Sequence, residues 1–268
     1  MQPLKPPVCN KNKRNRNEIM TQNPRFSIIT VVYNGEKSIT RTIESVLNQT
    51  YAPYEYLVMD GASVDRSAEI ARSFQKQFEE KGIRYQVVSE KDRGMYDALN
   101  KGTKLATGDL IGQINSDDWY EPDALEKMAD LYRRTDFDMA YADLRMIRAD
   151  GSSWIKRARV DRFVNSRHWS HPTQFTRRSV TLQKPYACEC MSDDLDFMLW
   201  VHSHGYRIEV LNETIANFTM QGMSHSRDVK SAWDRVCTKT RIYRRNGYSI
   251  LHGVDVAVTE LAKLMIGK

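Results

Sequence analysis

The stretch Asp109–Trp119, reading DLIGQINSDDW, constrains the fold more than any other part of the chain. A short apolar run that stops abruptly at Asn-Ser-Asp-Asp has the pattern of a buried central strand whose carboxyl end opens into a polar crevice, where open α/β sheets keep their ligands. Asp117 and Asp118 are neighbouring carboxylates, and two such charges repel each other unless water solvates them or a cation sits between them. Oxygen ligands of this kind suit Mg2+ or Mn2+, above all when a diphosphate completes the shell. A solvated turn, with Asp118 capping the helix that follows Pro122, would account for the same residues, so the rest of the chain has to decide.

That chain is long enough for one sizeable core: 268 residues, 41% hydrophobic and 28% charged. Its formal charge of +6 suits anionic ligands such as nucleotide sugars, nucleic acid or an anionic membrane surface, without choosing among them. Cys9, Cys188, Cys190 and Cys237 lack the paired spacing of a zinc site and are too sparse for a disulfide framework, which makes a reducing cytoplasm the default. Residues 1–24 carry Lys5, Lys11, Lys13, Arg14 and Arg16 but no apolar core of a secretory signal, and read as a disordered basic tail. Met20 lies just before the folded pattern, so a start assigned upstream of the native one would explain the tail. No apolar run approaches the ~20 residues that span a bilayer, leaving peripheral contact as the only expected membrane association.

Taken in order, FSIITVVY at 26–33 is a continuous β-branched run, as a buried parallel strand requires, and it ends at Asn34-Gly35. A helix over 36–49 follows, with Ile39, Ile43, Val46 and Leu47 on one face. A second strand at 56–59 breaks at Asp60-Gly61, and Asp65 is placed to cap a helix whose Ala71, Phe74 and Phe78 point inward. A third strand at 84–89, a charged loop ending at Gly94 and a helix over 95–106 lead back to the central strand. Four strands alternating with helices predict a doubly wound parallel sheet with right-handed crossovers. Further on, 138–148 and 152–157 read as a hairpin that would make the sheet mixed. Next come the irregular segment His168–Phe175, a helix opening at Ser192 with Asp193, Asp194 and Asp196 in its first turn, and a strand over 206–218. The helix dipole alone favours those three carboxylates. Two helical stretches close the chain. The first is rich in Lys and Arg, with Val229, Trp233, Val236 and Tyr243 on one face; the second, over 250–266, has an apolar side through Leu251, Val254, Val258, Leu261 and Met265.

The strings SIITVVYNGEKSITRTIESVLNQTY, VMDGASVD and SEKDRGMYDALNKGTKLATGDLIGQINSDDW, in this order and spacing, resemble the inverting glycosyltransferases of family 2 with the GT-A fold, particularly bacterial enzymes of cell-surface polysaccharide assembly. The resemblance covers residues 26 to about 225. It implies a GT-A-like α/β domain over 25–225, with a nucleotide-sugar half (25–120) and an acceptor half (121–225), followed by a helical extension over 226–268. It implies a nucleotide-diphosphate sugar donor, UDP-linked by analogy with the family, held by Thr30, Tyr33 and Asn34 near the base, by Asp60 on the base or ribose, and by Asp92 and Asp117. Asp118 matches the last carboxylate of the family's Asp-x-Asp motif, which holds Mn2+ or Mg2+. Ser116 stands at the motif's first acidic position, which leaves open how many direct ligands the protein supplies. His225 matches an occasional third ligand; a surface histidine is the plainer reading.

Inversion needs one base, because the acceptor hydroxyl attacks from the face opposite the nucleotide. By the same resemblance that base is Asp194, with Asp193 as runner-up and Asp196 orienting the acceptor or stabilising its helix. His171 and Gln174 match the loop lining the acceptor side; packing under Trp169 is their plainer role. The acceptor implied is a glycan or lipid-linked glycan. The basic helix after His225 is either a solvated face or a surface that approaches an anionic leaflet or lipid diphosphate carrier. The expected location is cytoplasmic, with peripheral contact at the inner face of the cell membrane. Three rivals remain: a catalytically silent nucleotide- or glycan-binding module, a nucleic-acid binder, for which no recognition motif accompanies the charge, and a nucleotidyltransferase, for which the glycine-rich, lysine-containing signature is missing.

Overall fold

A computed structural model describes residues 23–165, 167–220 and 229–266. The basic tail up to residue 22 and the His225 segment lie outside these residues. The first half is the expected alternation: β1 (Phe26–Val32), α1 (Ile39–Leu47), β2 (Glu55–Asp60), α2 (Ser67–Ser73), α3 (Gln75–Glu80), β3 (Arg84–Ser89), α4 (Met95–Leu105) and β4 (Leu110–Asn115). β1 pairs in parallel with both β2 and β4, and β2 with β3. Every residue of β1 and β2 is buried, as continuous β-branched and aromatic runs require when both sheet faces are covered. Alternation along β1 sends Phe26, Ile28 and Val32 into one core with α1, and Ile29 and Val31 into the other with α4.

The second half completes one sheet in the order β3-β2-β1-β4-β8-β6-β9-β5, with β7 attached to β6. Its elements are β5 (Trp119–Tyr120), α5 (Ala124–Thr135), β6 (Met139–Ile147), β7 (Ser153–Lys156), a 3-10 turn at His171–Thr173, β8 (Phe175–Arg177), α6 (Arg178–Gln183), α7 (Asp193–Ser203) and β9 (Ile208–Thr219). The β6–β7 hairpin is the one expected from Ala149-Asp150-Gly151. β8 enters antiparallel beside β4, a three-residue strand that the sequence pattern does not reveal. Gly112 is what admits it: a Cβ there would lie 2.5 Å from the ring of Phe175, which fills the space. The sheet is thus mixed, with the longer ladders parallel. α5 is opened by Asp123, not by Asp118, so the capping explanation for Asp118 does not hold.

Two helices follow, α8 (Val229–Arg245) and α9 (Ile250–Ile266), packed on each other, with α8 also packed on α7. Among the described residues no helix is long and apolar enough to cross a membrane. The side of α9 that is apolar in sequence faces outward: Leu251, Val254, Val258, Leu261 and Met265 are each 56–69% exposed. Its buried side carries His252, Val256 and Glu260. Glu260 accepts from Arg235 Nε (2.8 Å), Lys239 Nζ (3.2 Å) and Lys263 Nζ (2.9 Å), and these partners pull its carboxyl down to about 2 against the opposing effect of burial. The depressed value contributes stability that is present above the unfolded carboxyl range and lost as pH falls toward 2. Glu260→Gln removes the charge from three cations and is expected to cost roughly 3 kcal/mol at pH 7. Urea unfolding of the two proteins at pH 7 and pH 3 checks this, because the gap must narrow at the lower pH.

Candidate active site

The loops after β1, β2 and β3 are laced together at the carboxyl edge of the sheet. Asn34 adopts a left-handed backbone (φ 52°), its N–H donates to Ser63 Oγ (2.8 Å), and its Oδ1 accepts from Val64 N (2.9 Å). Asp60 closes β2, is buried, and accepts from Ser89 Oγ (2.5 Å) and from Ser63 N (3.2 Å to Oδ2). Asp92 accepts from Gly94 N (2.7 Å) and presses on Gly61, where a Cβ would stand 2.6 Å from its Oδ2. Tyr33 projects from the same edge and is 66% exposed. Thr30 does not join them: it is fully buried two residues before the end of β1, and its hydroxyl accepts from Tyr56 OH (2.9 Å). A strand interior gives it no access to a ligand at the loops.

β4 delivers the carboxylate pair beside this edge. Thr42 Oγ1 donates to the Asp118 carbonyl (2.6 Å), and Thr219, at the end of β9, donates its N–H to Asp118 Oδ1 (3.2 Å) and its hydroxyl to the Asp117 carbonyl (3.1 Å). Asp118 Oδ2 is buried with no hydrogen-bond partner. Arg41, the nearby cation, spends its guanidinium on the Asp117 carbonyl (3.0 Å) and on the face of Trp119 (3.5 Å). Burial, and next the charge of Asp117, hold the Asp118 carboxyl well above the usual range; burial also raises Asp117. Two carboxylates left so poorly compensated, one with a free buried oxygen, fit a hard divalent cation whose remaining ligands come from a diphosphate. Among the described residues no cluster of three acidic, histidine or cysteine groups forms a site complete in itself.

Asp194 lies at the start of α7, half-buried, with Oδ1 accepting the Leu195 N–H (2.7 Å). Burial raises its carboxyl above the usual range, while His171 and Tyr96 nearby pull the other way. His171 is buried with neither ring nitrogen partnered; burial lowers its pKa and favours the neutral imidazole, while the charge of Asp194 acts the other way. The link to β4 runs through Tyr186, whose hydroxyl donates to Gln113 (2.8 Å) and whose ring lies between Tyr96, Phe197 and His171. Alternation along β4 places Asn115 on the same face as Gln113, so the carboxylate pair follows directly from the strand that carries the Asp194 cluster.

The other sequence candidates of this half have their polar atoms occupied. Asp193 accepts from Glu189 N (3.0 Å) and Cys190 N (3.2 Å) and fastens the loop before α7. Asp196 is held by Lys184 (2.9 Å), Arg245 (2.6 Å) and Asn246 (2.7 Å), which ties α7 to the end of α8. Gln174 spans from Trp169 Nε1 (3.0 Å) to Thr176 Oγ1 (3.2 Å) and packs under the indole. Sequence reasoning missed Tyr96, Tyr186 and Lys156, which surround Asp194; no motif marks them, and only the crossing of α4, β7 and the α6–α7 loop brings them together.

The sequence profile described as Glycosyl transferase family 2 matches residues 27–192. The chain is 31% identical over 159 residues to a PGL/p-HBAD biosynthesis glycosyltransferase of Mycobacterium bovis, covering 59% of this chain and 60% of that one. It is 36% identical over 107 residues to the putative glycosyltransferase EpsH of Bacillus subtilis (40% and 30%), and 30% identical over 186 residues to the chondroitin synthase of Escherichia coli (66% and 26%). It therefore spans between about a quarter and three fifths of the length of these relatives. In fold it is similar to S. aureus TarS 1-349 in complex with UDP (TM-score 0.66, 18% identity, covering 88% of this chain and 70% of that one). It is equally similar to the mannosyltransferase PcManGT from Pyrobaculum calidifontis in complex with GDP-Man and Mn2+ (TM-score 0.66, 17% identity, 92% and 76%). A profile matched over more than half of the chain, on a GT-A-like mixed sheet, identifies it as a member of glycosyl transferase family 2.

Proposed function

We propose that the chain is an inverting glycosyltransferase that moves a sugar from a nucleotide-diphosphate donor, UDP-linked by preference, to a hydroxyl of a glycan or lipid-linked glycan in polysaccharide assembly. The observation that carries this reading is the pairing of two differently built carboxylate sites around β4: Asp117-Asp118, only weakly compensated by Arg41, and Asp194 beside the buried His171, whose ring nitrogens have no partner. In this reading residues 25–120 form the donor half and 121–225 the acceptor half. Tyr33 offers an exposed ring against the base, Asp60 and Asp92 meet the base and ribose, and Asp117 borders the diphosphate. Asp118 would hold Mn2+ or Mg2+, with His225 as a further ligand; the bound cation supplies positive charge against the departing diphosphate.

Asp194 takes the proton from the attacking hydroxyl as the oxygen closes on the anomeric carbon. His171, uncharged, accepts or donates one hydrogen bond to the acceptor without competing for that proton. Tyr96 and the Leu195 N–H keep the carboxylate oriented. Peripheral contact with the inner face of the membrane, where a lipid-linked acceptor would be met, belongs to the same reading; the outward apolar side of α9 and the exposed Arg241 and Arg244 support it. The test is nucleotide release from a panel of UDP-, GDP- and dTDP-sugars with Mn2+ or Mg2+. Release from one donor class that stops on chelation is expected. Binding of a nucleotide with no release under any metal would instead make the chain a silent binding module.

A further inference from the structure

Gln113 is the one polar side chain of β4 before its terminal Asn115, and it is 3% exposed on the face that also carries Ile111 and Asn115. Its carboxamide oxygen accepts from the Tyr186 hydroxyl (2.8 Å). Tyr186 is fastened at its backbone as well. Asn100 of α4 takes both main-chain groups: its Nδ2 donates to the Tyr186 carbonyl (2.8 Å), and the Tyr186 N–H donates to its Oδ1 (2.9 Å). Between these two anchors the buried ring meets Tyr96 of α4 (centroids 5.0 Å), Phe197 of α7 (5.6 Å) and His171 of the 3-10 turn (6.5 Å). One residue of the loop between α6 and α7 thus ties the strand that ends beside Asp117-Asp118 to three elements around Asp194.

A buried amide–phenol pair adds little net stability, because both groups give up water to make one bond; two apolar side chains of the same shape would hold the strand about as well. What the pair adds is a unique arrangement. A directional bond to a residue clamped at its backbone admits one placement of the ring, where apolar contact alone tolerates sliding. The ring in turn bounds the space of Tyr96 and His171, the two side chains that act on the Asp194 carboxylate. We propose that Tyr186 is a positioning residue for transfer: anchored on Gln113 and Asn100, it holds Asp194 at a fixed separation from the carboxylate pair at the end of β4. This rests on the base role given to Asp194 above and adds the residue that sets the distance between the two carboxylate sites.

Tyr186→Phe keeps the ring and removes only the hydroxyl, while Tyr186→Phe combined with Gln113→Leu removes both polar partners. The full chain is compared in urea unfolding, in UDP binding by calorimetry, in nucleotide release with Mn2+ across the donor panel, and in the titration of the Asp194 carboxyl by NMR of carboxyl-labelled aspartate without metal, assigned against Asp194→Asn. The urea midpoint should fall in the single variant, where Gln113 is left unpaired, and recover in the double one. The transfer rate should be down at least about ten-fold in both, with UDP affinity within about two-fold, because a misplaced base slows the chemistry without touching the nucleotide. The Asp194 titration should move toward the ordinary carboxylate range in both, as water reaches a wall no longer held in place. A rate that recovers together with the urea midpoint in the double variant would make the bond merely structural and overturn the proposal. So would a rate within about two-fold of wild type in Tyr186→Phe, or an Asp194 titration unmoved in both variants. If the single variant fails to fold, the double one, which leaves no group unpaired, carries the comparison. If the wild-type chain releases nucleotide from no donor, the transferase reading falls, and the Asp194 titration in the same variants still decides whether Tyr186 holds that carboxylate.

Discussion

Replacing Asp194 with asparagine is expected to lower the transfer rate by roughly 10²–10⁴-fold while nucleotide affinity stays within about two-fold, because the amide keeps the shape and the Leu195 N–H contact but cannot take a proton. The pH profile sharpens the expectation. A general base works in its deprotonated form, so the rate rises with pH through the carboxyl's own titration. Burial raises that titration, and the acid limb should therefore sit above the ordinary carboxylate range. In Asp194→Asn the limb should disappear from whatever activity remains. Turnover retained within ten-fold would remove the base role from Asp194, and it could not pass to Asp193, whose oxygens already hold the loop before α7.

Asp118→Asn is expected to abolish metal-dependent transfer and, at the same time, to stabilise the metal-free protein by about 0.5–2 kcal/mol. The sign follows from linkage. A carboxyl whose folded pKa is raised above its unfolded value is penalised for ionising in the native state, so its charge weakens the fold as pH rises from the unfolded value toward the raised one. Asparagine keeps an oxygen for the Thr219 N–H and removes that penalty. With Mn2+ and UDP present the order should reverse, since ligands that bind only the folded form raise the melting temperature of the wild type and not of the variant. Thermal melts of both proteins, with and without Mn2+ and UDP, check both halves. A variant that is less stable without metal would mean that the ionised Asp118 carboxylate supports the fold through its contact with the Thr219 N–H, against the metal-holding role.

Much of this was legible in the residues because it depends on short, contiguous signals. β1 and β4 announce themselves as apolar runs that end in polar residues, and the helices between them as apolar stripes; the pattern over 250–266 gives the observed ends of α9 but not the side of it that faces inward. The reason is physical: the side of α9 that carries Glu260 turns inward because Arg235 and Lys239 of α8 meet it there, and ion pairing between separate helices leaves no periodic trace. β8 escaped notice because three residues carry no alternation, and its place depends on the missing side chain of Gly112. In the site, Asp60, Asp92 and the Asp117-Asp118 pair sit at strand ends where a sequence pattern can find them. Thr30 misled because a hydroxyl near a strand end looks available until Tyr56 is seen to occupy it. Gln174 and Asp196 take the plainer of the roles their residues allow, packing under Trp169 and holding the helix in place, Asp196 through Arg245 and Asn246, which are distant in sequence; Lys156 stays hidden because nothing in the short strand that carries it points to the Trp169 carbonyl that holds it. Part of the basic face expected on α8 is spent on ion pairs within the chain: Arg235 and Lys239 on Glu260, and Arg245 on Asp196 and Glu189.

In the proposed reaction donor and acceptor meet in a single cleft at the end of β4. A crystal structure of the chain with Mn2+ and a non-hydrolysable UDP-sugar measures this most directly. The account predicts the cation on Asp118 and the diphosphate, the base beside Tyr33 and Asp60, and the anomeric carbon open toward Asp194 and His171. A nucleotide bound elsewhere, or a sugar whose anomeric carbon is walled off from Asp194, would contradict it.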